Sequence, residues 1–320
     1  MRTRIRVPNL MTRVRSAAVL ALTIALCGLA TMPTSAQADG IILKWWGQGT
    51  TSIDTGGDVL LIDAFFVQTL GLGVLPEEAP RIRVELLTHA HADHFGATLD
   101  LLASNPDMFL AANSGLVRNL VALGLVAPER VIDWNKGGKL RPGTLTQLGR
   151  LVPPLTGTFP AIGDMAEIIM VPAEHSSSLQ IPSIPGQVLN GGEAVGYIIR
   201  LKNGFTLYHA GDTYVFDEMR TIGERYRIDL ALLPIGGNFT MDPVDAAFAA
   251  TRLLRPRFVI PIHYAQGATI GFSPALVGTP EQFKKALGKR NNIKVVVPER
   301  GEHVLLTGAG PKARVTLMGN

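Results

Sequence analysis

Thr88-His89-Ala90-His91-Ala92-Asp93-His94 follows directly on the apolar run Val84 to Leu87. Between His89 and His94 it gathers three imidazoles and one carboxylate. A strand that stops and releases His-x-His-x-Asp-His offers the ligand types that zinc and neighbouring divalent cations prefer. Two residues apart in an extended loop, His89 and His91 can point at one ion, while Asp93 and His94 turn toward a second. The alternative is a solvated polar loop. It fits poorly, because three of the seven histidines in the chain are concentrated here.

The same pattern recurs downstream. Ile168 to Val171 leads to Glu174-His175, Phe205 to Tyr208 to His209-Ala-Gly-Asp212, and Phe258 to Ile262 to His263. Each run is short, apolar and rich in β-branched or aromatic residues, which reads as a buried strand. A single histidine after a strand is more often a satisfied structural residue than a ligand. Four strands that all deliver His or Asp to their ends describe a site assembled on a rigid α/β scaffold.

The order His89, His91, Asp93, His94, His175, Asp212, His263 resembles the metallo-β-lactamase superfamily of binuclear metallohydrolases. Further segments resemble its metal-dependent hydrolase branch, of the ascorbate-6-phosphate lactonase-like type. They are Pro172-Ala-Glu-His-Ser-Ser-Ser178, Val195 to Ile199, Tyr208 to Thr213, Asp229 to Met241 and Val259 to Tyr264. The resemblance spans about Ile41 to Glu302. It implies an α/β, four-layer αββα sandwich. It also implies that His89, His91 and His175 hold one ion, Asp93, His94 and His263 the other, and Asp212 bridges them. The ions would be divalent, zinc first and manganese second. Where the family often has a histidine after the first strand, this chain has Gly47-Gln48-Gly49.

The N-terminus carries Arg2, Arg4, Arg6, Arg13 and Arg15, an apolar run from Ala17 to Ala30, and Ala36-Gln37-Ala38. Basic region, short apolar region and small-x-small site make a secretory signal peptide over residues 1–38. The apolar run is shorter than the roughly 20 residues that span a bilayer. Leu26 is too large for a good lipidation site at Cys27, the only cysteine. Cleavage after Ala38 leaves residues 39–320 as one hydrolase domain, periplasmic or secreted, with no thiol and no lasting membrane anchor. It also removes five of the 30 basic residues, leaving 25 against 26 acidic ones. The high isoelectric point therefore belongs to the export segment and gives no reason to expect nucleic acid as a partner.

The strands expected are Ile41 to Trp46 and Val59 to Ile62, joined by Gly- and Thr-rich turns, then Val84 to Thr88, Val131-Ile132, Ile168 to Val171, Val195 to Leu201, Thr206 to His209, Asp229 to Pro234, Phe258 to Ile262 and Lys294 to Val297. Asn203-Gly204 marks a hairpin. Helices are expected at Phe95 to Ala103, Leu116 to Leu123, Thr213 to Tyr226, Asp242 to Leu254 with Asp242 as cap and Pro243 in the first turn, and Pro280 to Leu287. Residues 136–165 have no clean period. Residues 180–193 read as either a loop over the cleft or a surface connection.

The function these ligands imply is hydrolysis of a small ester, lactone, amide or phosphoester by a metal-bridged hydroxide. Asp93 and Asp212 are the catalytic carboxylates. The partner expected is a small molecule. Ser176 to Ser178 are not set in a Ser-His-Asp arrangement and read as hydrogen-bonding groups near the site. His209 reads as support behind the ligands, His303 as exposed, and Asn238 as a turn or substrate-facing residue. The competing readings are a phosphodiesterase or nuclease of the same fold, which would want a basic groove, and a non-catalytic metal-binding protein.

Overall fold

The computed structural model describes residues 40–66, 76–143, 145–147, 156–181, 185–264, 276–289 and 291–319. Residues 1–38, the expected signal peptide with Cys27, lie outside them. Among the described residues no helix is long and apolar enough to cross a membrane.

Two mixed sheets carry the fold. The first runs from edge to edge as Arg314–Leu317, Val304–Thr307, Ile41–Gly47, Thr50–Asp54, Val59–Ile62, Ile82–Leu87, Phe109–Asn113 and Val131–Trp134. The second runs as Lys294–Val295, Phe258–Ile262, Leu230–Pro234, Thr206–His209, Val195–Leu201, Met165–Pro172 and Lys139–Leu140. Side chains alternate across a strand. Leu60 and Ile62 therefore pack between the sheets with Ile168, Met170 and Ile199. Val59 and Leu61 pack on the outer face with Leu101, Leu116 and Leu120 of the helices Thr98–Ser104 and Ser114–Ala122. On the second sheet Met219, Ile222, Leu253 and Phe283 bring in the helices of the other outer layer. The order helix, sheet, sheet, helix is the expected αββα arrangement.

Parallel pairing aligns the strand ends that matter. Val59–Ile62 and Ile82–Leu87 are parallel, as are Thr206–His209, Leu230–Pro234 and Phe258–Ile262. Met165–Pro172 is antiparallel to Val195–Leu201, which is antiparallel to Thr206–His209, so it points the same way as the last. Residues 63, 89, 175, 212 and 263 thus all follow carboxyl ends of strands. The Tyr197 hydroxyl donates to Leu87 O at 2.7 Å, and Val195 N donates to Thr88 O at 3.0 Å. These two bonds tie the second sheet to the first beside the metal-ligand motif.

Three local expectations are corrected and one element is added. Thr50–Asp54 is a central strand rather than a turn. Its β-branched threonines suit a pleat, and buried bonds absorb its hydroxyls: Thr50 Oγ1 accepts from Phe65 N, and Ser52 donates to Glu78. The helix expected from Phe95 is split into Ala92–Phe95 and Thr98–Ser104. At the break Gly96 has φ +32°, and a Cβ there would stand 2.3 Å from Ala64 O. Residues 213–217 are not helical. Thr213 Oγ1 accepts from Glu174 N, and Thr213 O accepts from Met241 N, so the backbone bonds sideways instead. The hairpin Val304–Thr307/Arg314–Leu317, unread in the sequence, adds two strands beside Ile41–Gly47.

Asp242 caps its helix as expected, accepting from Val244 N and Asp245 N at 2.7 and 2.8 Å. That helix, Pro243–Phe248, continues as wider π-helical turns over Ala249–Leu254.

Glu85 is fully buried under Thr98, whose hydroxyl donates to Oε1 at 2.6 Å, while Oε2 has no partner. Burial pushes its pKa up to about 8, with Asp63 adding to the rise. Between its ordinary value of 4.5 and about 8, the folded chain holds a proton that the unfolded chain releases. The contribution of Glu85 to stability is therefore full below pH 4.5 and is lost as pH climbs through about 8. Glu85→Gln keeps an acceptor for Thr98 and removes the charge. It should raise the Tm at pH 9, by on the order of 1–3 kcal/mol of stability, and change it little at pH 5. Thermal melts at the two pH values check this; the same Tm change at both would refute it.

Candidate metal centre

The loop after Ile82–Leu87 delivers His89 and His91 together. His89 Nε2 lies 3.0 Å from His91 Nδ1, which lies 3.3 Å from His175 Nε2. Nitrogens about 2.1 Å from a tetrahedral ion stand roughly 3.4 Å apart, so this spacing suits one ion. His175 reaches the group from the loop after Met165–Pro172. That loop is pinned to residues 213 and 214 by Glu174 N to Thr213 Oγ1 and by Tyr214 N to Glu174 O, both at 3.0 Å.

A second group forms beside it from Asp93, His94 and His263. Asp93 Oδ2 is 3.2 Å from His263 Nε2 and 3.9 Å from His94 Nε2, and the His94 and His263 rings stack 5.5 Å apart. Asp212 stands between the groups. Its Oδ1 is 3.3 Å from His94 Nε2, and its Oδ2 is 3.1 Å from His263 Nε2 and 3.7 Å from His175 Nε2. The fold thus brings together all seven residues singled out in the sequence.

Sequence reasoning missed Asp63, which follows the strand Val59–Ile62 in the left-handed region at φ +56°. Its Oδ1 accepts from Thr88 N at 2.8 Å, and its Oδ2 accepts from Thr88 Oγ1 at 2.9 Å and from His94 Nδ1 at 2.6 Å. The Thr88 hydroxyl has one proton and gives it to Asp63, so at 3.1 Å it accepts from His89 Nδ1. One carboxylate therefore sets the tautomers of His89 and His94, and both Nε2 atoms face inward with lone pairs. The sign that revealed the other residues, an apolar run ending in a polar group, was present in Leu60-Leu61-Ile62-Asp63.

The inward atoms fit a cation. His94 Nε2 and Asp212 Oδ1 are buried, face each other and have no hydrogen-bond partner. With the Nδ1 proton of His94 committed to Asp63, two acceptors confront one another, and only a proton or a metal ion reconciles them. Burial alone would depress the pKa of His94, yet Asp212, Asp63 and Asp93 raise it well above the usual value. His263, opposed by burial but facing Asp212 and Asp93, is pushed up to about 9. Burial lowers His89, His91 and His175, which face fewer carboxylates and keep free lone pairs. Burial would raise Asp212, but His263 and His94 hold it well below the ordinary carboxylate range.

The surroundings are structural. His209 is buried, with Nε2 donating to Gly49 O at 2.8 Å and Nδ1 accepting from Gly211 N at 3.1 Å. It braces the loop that holds Gln48, itself buried with both amide atoms unpartnered. Gln48 O accepts from His263 N at 3.2 Å and from Trp45 Nε1 at 2.9 Å. Trp45 is the inward tryptophan and stacks on Tyr264, while Trp46 is part-buried. Ser177 Oγ accepts from Ala90 N and donates to Gly191 O. His303 is exposed. The segment after Ser178 does flank the cleft, through Ser178 and Gln180.

A model of a beta-lactamase superfamily domain matches residues 53–264, which include all eight site residues named above. The chain is 38% identical to a UPF0173 metal-dependent hydrolase of Cupriavidus necator, over 92% of this chain and 99% of that protein. It is 34% identical to one of Thermodesulfovibrio yellowstonii, over 82% of this chain and 91% of that protein. Among solved structures it resembles a metallo hydrolase from Ignicoccus hospitalis, with 30% identity and a TM-score of 0.63, over 83% of this chain and 98% of that one.

Asp63→Asn should lower zinc affinity about 10- to 100-fold, as expected when a carboxylate that orients a histidine is lost. The far-UV circular dichroism spectrum should be retained. Chelator competition on the purified variant measures the affinity; zinc affinity equal to wild type would remove the role assigned to Asp63.

Proposed function

Because this chain belongs to the beta-lactamase superfamily of metal-dependent hydrolases, we propose that it is an exported binuclear hydrolase of a small ester, lactone, amide or phosphoester. The observation that carries this is the position of Asp212, within 3.3 Å of His94 Nε2 and 3.7 Å of His175 Nε2. A carboxylate between two ligand groups is placed to serve both. In this reading His89, His91 and His175 hold one cation, Asp93, His94 and His263 the other, and Asp212 is shared. Imidazole and carboxylate donors favour zinc, with manganese next. Two such cations supply Lewis acidity, acidifying water and offsetting negative charge on the oxygen of the scissile group.

The chain supplies the rest. Asp93 is 16% exposed and lines the cleft. Burial would raise its pKa, but His94 and His263 bring it below the ordinary value, so its carboxylate is ionised and can accept a hydrogen bond from attacking water. The cleft, about 400 Å³, suits a small molecule. Ser176, Ser178 and Gln180 on its wall offer hydrogen bonds for orientation. Export follows from the basic and apolar N-terminal regions and Ala36-Gln37-Ala38. Residues 39–320 then form the single hydrolase domain that acts in the periplasm or outside the cell.

Asp212→Ala should abolish hydrolysis, and metal content should fall from two equivalents toward one. The circular dichroism spectrum should stay native. Turnover across ester, lactone, amide and phosphodiester substrates, with metal analysis on both proteins, checks this. Near-normal turnover with two ions bound would overturn the assignment of Asp212.

Intact-mass measurement on protein from the cell envelope should give a chain beginning at Asp39. A chain that retains Met1, or a lipid on Cys27, would overturn export by cleavage.

A further inference from the structure

We infer that the substrate is uncharged away from its scissile bond and carries an apolar group, preferably aromatic, that lies against Phe239. This rests on the metal-centred reading above and narrows it to a substrate class.

The charges of the cleft come first. Besides the metal-ligand residues, its wall consists of Ala92, Ser176, Ser178, Gln180 and Phe239. Among the described residues no lysine or arginine lines it. An anionic scissile group could rest on the cations. A second anionic group, remote from them, would meet only neutral side chains. Anions held away from a metal are ordinarily met by Arg or Lys. A sugar phosphate cleaved at its sugar end would therefore leave its phosphate uncompensated.

The second observation is Phe239. A half-exposed phenylalanine on a surface is common and needs no explanation. This one, 53% exposed, lines the same cavity as His91, Asp93 and Asp212. A tight turn fixes its position. Asn238 sits in the left-handed region at φ +60°, Phe239 N donates to Gly237 O at 2.6 Å, and Gly237 N donates to Met241 O at 3.0 Å. Val277, 66% exposed, continues the apolar surface behind this turn; its Cγ2 would touch a Cβ on Gly237 at 3.6 Å. Ser176, Ser178 and Gln180 line the same cleft and supply hydroxyl and amide groups. A substrate that matches this lining carries an apolar substituent together with neutral hydrogen-bonding atoms.

Hydroxamates separate these features without turnover, because they chelate the metal and vary only in the remote group. Binding to the zinc-loaded full-length protein is measured by titration calorimetry with acetohydroxamate, benzohydroxamate and 4-carboxybenzohydroxamate. Benzohydroxamate should bind at least about 10-fold more tightly than acetohydroxamate, the gain expected from burying most of a ring. The 4-carboxy compound should lose most of that gain. Phe239→Ala should collapse the benzo-to-aceto ratio, and Phe239→Tyr should keep it, with both variants native by circular dichroism and metal content. Equal binding of the first two compounds, or tighter binding of the carboxylated one, overturns the substrate class and leaves the metal centre standing. Failure of acetohydroxamate to bind overturns the metal centre and the inference with it.

Discussion

The Asp63 carboxylate is the contact on which the centre depends. It accepts three hydrogen bonds within 2.9 Å, from the backbone and hydroxyl of Thr88 and from the imidazole of His94. Those bonds fix where the strand Ile82–Leu87 ends and which nitrogen of each histidine keeps its lone pair. A residue at φ +56° is strained unless its surroundings hold it. Here the same bonds that orient the ligands hold the backbone. Among the described residues, four of the six non-glycine residues at positive φ, namely Gln48, Asp63, Asn238 and His263, belong to the centre or its rim. The other two, Arg227 and Arg255, end helices.

The two sheets make that aim reproducible. Each contributes ligands at the carboxyl ends of parallel strands, and neither alone contributes a full set. The bonds from Tyr197 to Leu87 and from Val195 to Thr88 fix the sheets to each other where the sets meet. Close backbone approaches then require glycine. At Gly211 a Cβ would stand 2.8 Å from Val195 O, and at Gly236 it would stand 2.2 Å from His263 O. Packing between the sheets and ligand geometry are in this sense one constraint: a shift of one sheet against the other would separate His89 from His175 and His94 from His263.

Much of this was legible in the sequence because the ligand types are rare and their spacing is local. His89, His91, Asp93 and His94 are close in the chain, and His175, Asp212 and His263 each follow an apolar run. The strands at 195–201, 206–209 and 258–262 were readable from β-branching and the Asn203-Gly204 turn. What escaped was decided by tertiary bonds. Thr50–Asp54 reads as a turn from its Gly- and Thr-rich surroundings, but Phe65 and Glu78 bind the hydroxyls of Thr50 and Ser52. Residues 213–217 have a helical look, but Glu174 and Met241 claim their backbone. Asp63 does not stand out in the sequence, because a single carboxylate after a strand is common. Only the fold shows that it stands 2.6 Å from His94.

The two ligand groups face the same centre with different electrostatics. His89, His91 and His175 are kept neutral chiefly by burial, so their lone pairs are available without releasing a proton. His94 and His263 sit among Asp63, Asp93 and Asp212, which draw positive charge onto them despite burial. A cation in that second group would displace protons rather than add to their charge, and its binding would be coupled to pH more strongly than in the first. The same carboxylates account for a cleft that no lysine or arginine lines among the described residues. Positive charge placed on its wall would compete with a metal ion for Asp93 and Asp212. Neutral groups such as Ser176, Ser178, Gln180 and Phe239 can shape the substrate without disturbing the charges that hold the centre together.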